Sequence, residues 1–158
     1  GGGAILDIGC YAVSSARFLL GREPERVVCT IDRHPQFKTD SRVSAMLDFG
    51  DIRALFTVGT AMWPEQTVSV FGSGGTLTVH VPFNAFPDVP LAVTVETDVG
   101  AREIAAGPAD QYAEMFKVFA GAVRAGGPVP TPTSDALANM KVLDALFRSA
   151  ESGSWEEV

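Results

Sequence analysis

The hydrophobic and polar positions along the chain change their period several times, and these changes predict the order of its elements. Residues 4–20 are apolar on nearly every side, which predicts a buried helix that ends at Gly21. Over residues 27–106, apolar and polar side chains alternate, which predicts about seven strands with short connections. After Pro108, and again from Thr133, apolar residues recur at helical spacing. The sequence therefore predicts a helix, a group of strands and two further helices.

Strands that are grouped together, with helices before and after them, are typical of an α+β domain. We expect an open, mostly antiparallel sheet of about six or seven strands, with helices on one face and the other face available for dimerisation. That second face is rich in hydroxyl groups, whereas a solvated face usually carries more Lys and Glu, so we interpret it as an interface. The preference of threonine for strands is the alternative explanation. The residues assigned to this face are Thr57, Thr67, Ser69, Thr76, Thr78, His80, Thr94 and Glu96.

Length and charge narrow the class of protein. The chain has 158 residues and a net charge of −7, which indicates one acidic domain over residues 1–158 and disfavours binding to nucleic acid or to an anionic membrane. Two cysteines, Cys10 and Cys29, are too few for a disulfide framework and indicate a cytoplasmic protein. The chain begins with three glycines and no methionine, so we expect it to be part of a longer protein.

Two motifs that could bind a cofactor or a metal do not fit such a site. The glycine-rich segment 72–75 is followed by a strand pattern, whereas a phosphate-binding loop leads into a helix, so we predict a hairpin turn there. His34 and His80 lie far from any cluster with metal-ligand spacing, and neither accompanies a recognisable nucleophile motif. We therefore expect no metal site in this chain.

The first helix carries the candidate chemistry. Asp7 and Tyr11 are four residues apart, so they lie on one helix face, and no Lys or Arg lies one turn from either. A buried carboxylate without a partner is costly, so something must satisfy Asp7. In a structural role, Asp7 would favour the helix N-terminus and Tyr11 would be a core aromatic. In a functional role, both would line a cleft, with Tyr11 exchanging a proton with a substrate oxygen and Asp7 orienting the substrate.

The opening residues, GGGAILDIGCY, resemble the motif G-G-G-x-x-x-D-x-G-x-[HY] of the Gfo/Idh/MocA family of oxidoreductases. Later segments such as MLDFGDIRALFTVGT and YAEMFKVFAGAVRAGG are similar to its C-terminal domain, so the resemblance covers essentially the whole chain. It implies an α+β domain that contacts substrate and forms the oligomer interface through the outer face of its sheet. It also implies an N-terminal Rossmann domain, absent from this chain, that binds most of the NAD or NADP. The chain alone is therefore expected to bind no cofactor and to be inactive.

The resemblance assigns roles to the two motif residues. Tyr11 stands at the family's His/Tyr position and would be the catalytic acid or base, as in the branch with glucose–fructose oxidoreductase and the dihydrodiol dehydrogenases. Asp7 would bind the substrate or that tyrosine. The substrate would be a sugar, polyol or diol oxidised at a CH–OH group. In the family, a lysine of a Glu-Lys-Pro motif in the Rossmann domain lowers the tyrosine pKa, and this chain lacks that motif.

Two other functions are compatible with the same residues. One is a noncatalytic dimerisation module that has kept the fold, and the other is a sugar-binding or sensor domain without hydride transfer.

Overall fold

The computed structural model describes residues 2–158, so Gly1 of the opening motif lies outside the described residues. The helical elements are a π-helical turn at Ile5–Gly9, α1 at Cys10–Leu20, α2 at Gln111–Ala125 and α3 at Thr133–Ser152. The strands are β1 (Arg26–Arg33), β2 (Asp40–Asp48), β3 (Arg53–Gly59), β4 (Thr67–Gly72), β5 (Gly75–His80), β6 (Leu91–Thr97), β7 (Gly100–Ala106) and β8 (Glu156–Glu157). This α+β class and the antiparallel pairing confirm the prediction.

The described strands form two four-stranded sheets, whereas the sequence predicts a single sheet. The first sheet has the order β3-β2-β1-β8 and the second has the order β4-β5-β6-β7. The chain correspondingly divides into two compact units, Gly1–Trp63 with Thr131–Val158, and Pro64–Pro130. Alternation along each strand predicts which side chains share a face, but it does not specify which strands share a sheet.

The core of the first unit lies between the first sheet and the helices that pack on one of its faces. Alternate residues of β1 and β2 point into this core, where helix α3 packs on β1 and the π-helical turn packs on β2. Phe49, directly after β2, is 2% exposed. The other core residues are Ala4, Ile5, Val13, Val27, Cys29, Val43, Ala45, Leu47, Val142, Leu143, Ala145 and Leu146. Helix α1 was predicted to be buried all round, but Phe18 is 84% exposed and only one side of the helix packs on the core.

The opposite face of the first sheet is open in this chain. It holds a depression of about 450 Å³ lined by residues that include Met46, Leu55 and Thr57. Leu55 is 69% exposed, and Ser44 hydrogen bonds to Thr57 across the strands at 3.0 Å. This face therefore presents apolar and hydroxyl side chains together.

The second unit contains the meander β4–β7 and helix α2. Paired positions place seven of the eight residues assigned to the hydroxyl-rich face on one side of this sheet, namely Thr67, Ser69, Thr76, Thr78, His80, Thr94 and Glu96. The eighth, Thr57, lies in the first sheet. The apolar side chains of α2 were expected to cover a sheet face, but they are between 52% and 64% exposed: Tyr112, Met115, Phe116, Phe119 and Val123.

Candidate active site

The Asp7 region is a π-helical turn, not the first turn of an α-helix as predicted. The turn covers Ile5–Gly9, and helix α1 continues directly from it at Cys10. Asp7 lies in the middle of this turn, and its backbone N–H donates to the carbonyl of Gly3 at 3.0 Å. Short π-helical turns inside helices occur frequently at functional sites. The hydrophobic pattern carries no signal that separates five residues of π-helix from five of α-helix.

Asp7 and Tyr11 both face outward. Asp7 is exposed and Tyr11 is 51% exposed, so the expectation of a buried Asp7 carboxylate was wrong. Leu6, beside Asp7, is 42% exposed, and Phe18 lies two turns beyond Tyr11. The structure therefore presents a carboxylate and a phenol one turn apart on an open, partly apolar helix face. Such a pair can hydrogen bond to a hydroxylated ligand and exchange a proton with it.

The N-terminal end of this segment is held by a carboxylate that sequence reasoning missed. Asp40, the first residue of β2, is 5% exposed, and its Oδ2 accepts a hydrogen bond from the backbone N–H of Ile5 at 2.6 Å. Gly3 passes so close to Asp40 that an added Cβ would lie 2.6 Å from the Asp40 carbonyl oxygen and nearer still to its carboxylate. Asp40 and Ile5 are 35 residues apart, so no local pattern links them.

A second polar network holds helix α1 from the side of α3. Arg17 is 7% exposed and binds both carboxylate oxygens of Glu23, at 2.6 and 2.8 Å, and Asp135 at 2.9 Å. Its guanidinium also donates to Asn139, whose amide donates to the carbonyl of Cys10 at 3.3 Å. The hydrogen bonds between Arg17 and Glu23 raise the pKa of Arg17 and lower the pKa of Glu23.

This network is expected to make the protein more sensitive to acid. The pKa of Glu23 is lower in the folded protein than in the unfolded chain. The interaction of its carboxylate with Arg17 therefore stabilises the fold fully above the unfolded pKa of about 4.3, and this stabilisation is lost as the pH falls through the folded pKa. The Glu23→Gln variant should therefore lose less free energy of unfolding than the wild type between neutral pH and about pH 3.5. Urea unfolding at both pH values measures this. Glu65→Gln, at an exposed glutamate, is the control, and equal losses in all three proteins would contradict the prediction.

The two thiols are poor candidates for nucleophiles. Burial raises the pKa of the Cys10 thiol, and it raises the pKa of Cys29 to about 11. Both cysteines are free, and the Sγ of Cys29 donates to the carbonyl of Leu146 at 2.9 Å. A thiol attacks as the thiolate, so these pKa values oppose cysteine chemistry at neutral pH.

The other candidate motifs have structural roles. The glycine-rich segment 72–75 is the turn between β4 and β5, with Gly72 paired to Gly75, which confirms the predicted hairpin. No helix begins there, so the segment does not fit the phosphates of a dinucleotide.

His34 Nδ1 accepts from two backbone N–H groups of its own turn, and His80 hydrogen bonds to Thr94. Within residues 2–158, no three His, Cys, Asp or Glu side chains group as metal ligands would. In the same range, no helix has both the length and the hydropathy to cross a membrane.

Comparison with known proteins identifies the family. The family model described as GFO/IDH/MocA C-terminal domain matches residues 1–78, which include the Asp7 turn. Over its whole length, the chain is 38% identical to the uncharacterized oxidoreductase ORF334 of Rhizobium meliloti, of which it covers 49%. The chain belongs to the Gfo/Idh/MocA family. It is also 31% identical, over 99% of its length, to D-xylose 1-dehydrogenase (NADP(+)) 2 of Haloferax volcanii, of which it covers 48%.

Comparison with solved structures supports the fold. KijD10, a 3-ketoreductase from Actinomadura kijaniata solved with TDP-benzene and NADP, superposes with a TM-score of 0.86 and is 26% identical. The superposition covers 94% of this chain and 48% of KijD10. The chain thus spans about half the length of the curated relatives and of the solved structure that it matches.

Proposed function

We propose that this chain is the substrate-binding and oligomerisation domain, over residues 1–158, of an NAD(P)-dependent oxidoreductase. The reaction would be the reversible oxidation of a CH–OH group in a sugar, polyol or diol. The observation that carries this proposal is that Asp7, in the π-helical turn, and Tyr11, at the start of α1, are both exposed at the family's motif positions. The relatives add support, since they include a D-xylose dehydrogenase that uses NADP and a 3-ketoreductase bound to NADP.

Tyr11 and Asp7 have distinct roles in this proposal. Tyr11 would give a proton to the reacting oxygen of the substrate or take one from it, which is general acid–base catalysis. Asp7 would hydrogen bond to the substrate or to the Tyr11 phenol. A free phenol has a pKa of about 10, so proton transfer at neutral pH requires a nearby cation. No lysine of this chain stands in a Glu-Lys-Pro sequence, so we assign that cation to another domain of the full-length protein.

The cofactor would be held mainly outside this chain. The glycine-rich segment 72–75 is a hairpin turn and offers no helix N-terminus to a pyrophosphate, so a separate Rossmann domain is assigned that task. Bound there, the nicotinamide would supply the hydride chemistry, while this chain would bind and orient the substrate. The isolated chain is accordingly expected to bind no NADPH in calorimetry, and micromolar affinity would contradict this division of roles.

The proposed function is tested on the full-length protein. Aldoses, polyols and diols are each incubated with NAD or NADP, and the absorbance of the reduced nicotinamide is followed. Turnover with any of these substrates supports the enzyme. Binding of a polyol without any cofactor requirement or turnover would instead identify a sugar-binding or sensor domain. Neither turnover nor binding, in a protein that self-associates, would identify a dimerisation module.

We further propose that the full-length protein is a cytoplasmic homodimer or larger homo-oligomer. The sequence assigned this contact to the hydroxyl-rich face, seven of whose eight residues lie on the second sheet. We assign it instead to the open face of the first sheet, where the exposed Leu55 lines a depression beside Thr57. Two free cysteines fit a reducing compartment. Sedimentation of the full-length protein measures its mass in solution, and a monomer at micromolar concentration would contradict the oligomer.

A further inference from the structure

We propose that Asp40 is a positioning residue for the site, because its carboxylate anchors the π-helical turn that carries Asp7. The proposal rests on the function proposed above, since it concerns how the same Asp7 and Tyr11 are held. Ile5 is the first residue of the turn and is fully buried. Its backbone N–H cannot reach water and donates to Asp40 Oδ2 at 2.6 Å. A buried N–H group that lost this acceptor would be destabilising, so the bond fixes where the turn begins.

The carboxylate itself is held in place. Asp40 is 5% exposed and lies at the end of β2, where it is paired with Arg33 of β1. Its negative charge lies at the N-terminal end of a helical segment, where the helix dipole favours an anion. The acceptor therefore belongs to the sheet, and the hydrogen bond to Ile5 joins the helical segment to that rigid frame.

Gly3 makes the approach of Asp40 to the turn feasible. An added Cβ on Gly3 would lie 2.6 Å from the backbone oxygen of Asp40, closer than real Cβ contacts come. The carbonyl of the same Gly3 accepts the backbone N–H of Asp7 at 3.0 Å. Among the described hydrogen bonds of residues 3–7, the bond at Ile5 thus joins the segment to the sheet, and the bond between Gly3 and Asp7 holds the segment together internally.

This arrangement matters for catalysis because Asp7 and Tyr11 are exposed. Both side chains are carried by the helical segment that begins at Ile5, so a displacement of its backbone moves both of them. Displacements of about 1 Å at a catalytic group can lower rates by roughly 100-fold. Loss of the Asp40 anchor is therefore expected to lower turnover without removing any group that touches the substrate.

The test compares three variants of the full-length protein: Asp40→Ala, Asp40→Asn and Asp48→Asn. Asp48 is the matched control, because it lies at the other end of β2, is 3% exposed and also accepts a backbone N–H, that of Gly50 at 3.1 Å. Turnover number, the KM for substrate and for nicotinamide, and thermal stability are measured for each. Hydrogen exchange of the peptide covering residues 1–11 gives a readout that is independent of activity.

We expect Asp40→Ala to lower kcat at least roughly tenfold, with the KM for nicotinamide unchanged and faster exchange in residues 1–11. Asp40→Asn, which keeps an acceptor oxygen, should recover part of kcat, and it remains informative if Asp40→Ala does not fold. Asp48→Asn should lose stability but keep kcat.

Two outcomes would overturn the proposal. One is an Asp40→Ala variant with wild-type kcat or, where that variant does not fold, an Asp40→Asn variant whose kcat and exchange in residues 1–11 both match the wild type. The other is a loss of kcat that simply follows stability and is equal in the Asp40 and Asp48 variants. An inactive wild-type protein would instead contradict the proposed function, and the exchange comparison would still decide whether Asp40 anchors the turn.

Discussion

Replacing Tyr11 with phenylalanine is expected to lower the turnover of the full-length protein by roughly 100-fold or more, while the affinity for nicotinamide stays unchanged. The variant keeps the ring, which is 51% exposed on α1, and removes only the phenolic hydroxyl. If that hydroxyl exchanges a proton with the reacting oxygen, its loss raises the barrier of the chemical step and leaves the cofactor site intact. Steady-state kinetics with saturating cofactor, together with a titration of the cofactor, separate these two effects.

Tyr112→Phe is the matched control for this experiment. The chain has two tyrosines, and Tyr112, which is 60% exposed on α2, has no assigned role in the site. Its replacement should leave kcat within about twofold of the wild type. Near-normal turnover in the Tyr11 variant, or equal losses in both variants, would remove Tyr11 from its assigned role.

Replacing Gly3 with alanine is expected to have the largest effect on stability, lowering the free energy of unfolding by about 3 kcal/mol. The new methyl group would lie 2.6 Å from the backbone oxygen of Asp40, and backbone atoms cannot move aside as a flexible side chain would. The segment would have to leave β2, which also weakens the hydrogen bond between Asp40 and Ile5. Urea unfolding measures the stability, and kcat should fall in the same variant because the Asp7 turn is displaced.

Gly107→Ala is the control for the Gly3 variant. No atom lies within 4 Å of an added Cβ at Gly107, and its backbone is not among the glycines with positive φ. Its stability should change by no more than about 1 kcal/mol in either direction. A Gly3 variant that was equally stable would show that the close approach to Asp40 is easily relieved.

Local patterns predicted much of the fold. The alternation along β1 and β2 depends on neighbouring residues, and the structure confirms both strands. The end of α1 at Gly21, with φ of 64°, also follows from local chemistry, since glycine adopts this left-handed conformation without strain. The four-residue spacing of Asp7 and Tyr11 predicted one helix for both, and in the structure the π-helical turn of Asp7 continues directly into α1, which carries Tyr11. Their catalytic roles stay a prediction.

Other features of the molecule could not be predicted from such patterns. The partition of the strands into two sheets depends on which edges meet, and strand alternation does not encode this. The exposure of Asp7 also differed from the expectation, because the composition of a helix does not reveal which of its sides packs on the core. The π-helical turn at Ile5–Gly9 differs from an α-helix by one residue in each hydrogen-bonded ring, and hydrophobic periodicity is too coarse to distinguish the two.

The sequence by itself determined the order of the three α-helices and of strands β1–β7, the acidic character of the chain and the two residues of its motif. These properties depend on each residue and its near neighbours, which the chain order specifies directly. Only the tertiary structure decided that Asp40 reaches Ile5 across 35 residues, and that Arg17 and Asn139 join α1 to α3. Such contacts form between groups distant in the chain that burial brings together, so the polar groups that hold the Asp7 turn and helix α1 in place became visible only in the folded protein.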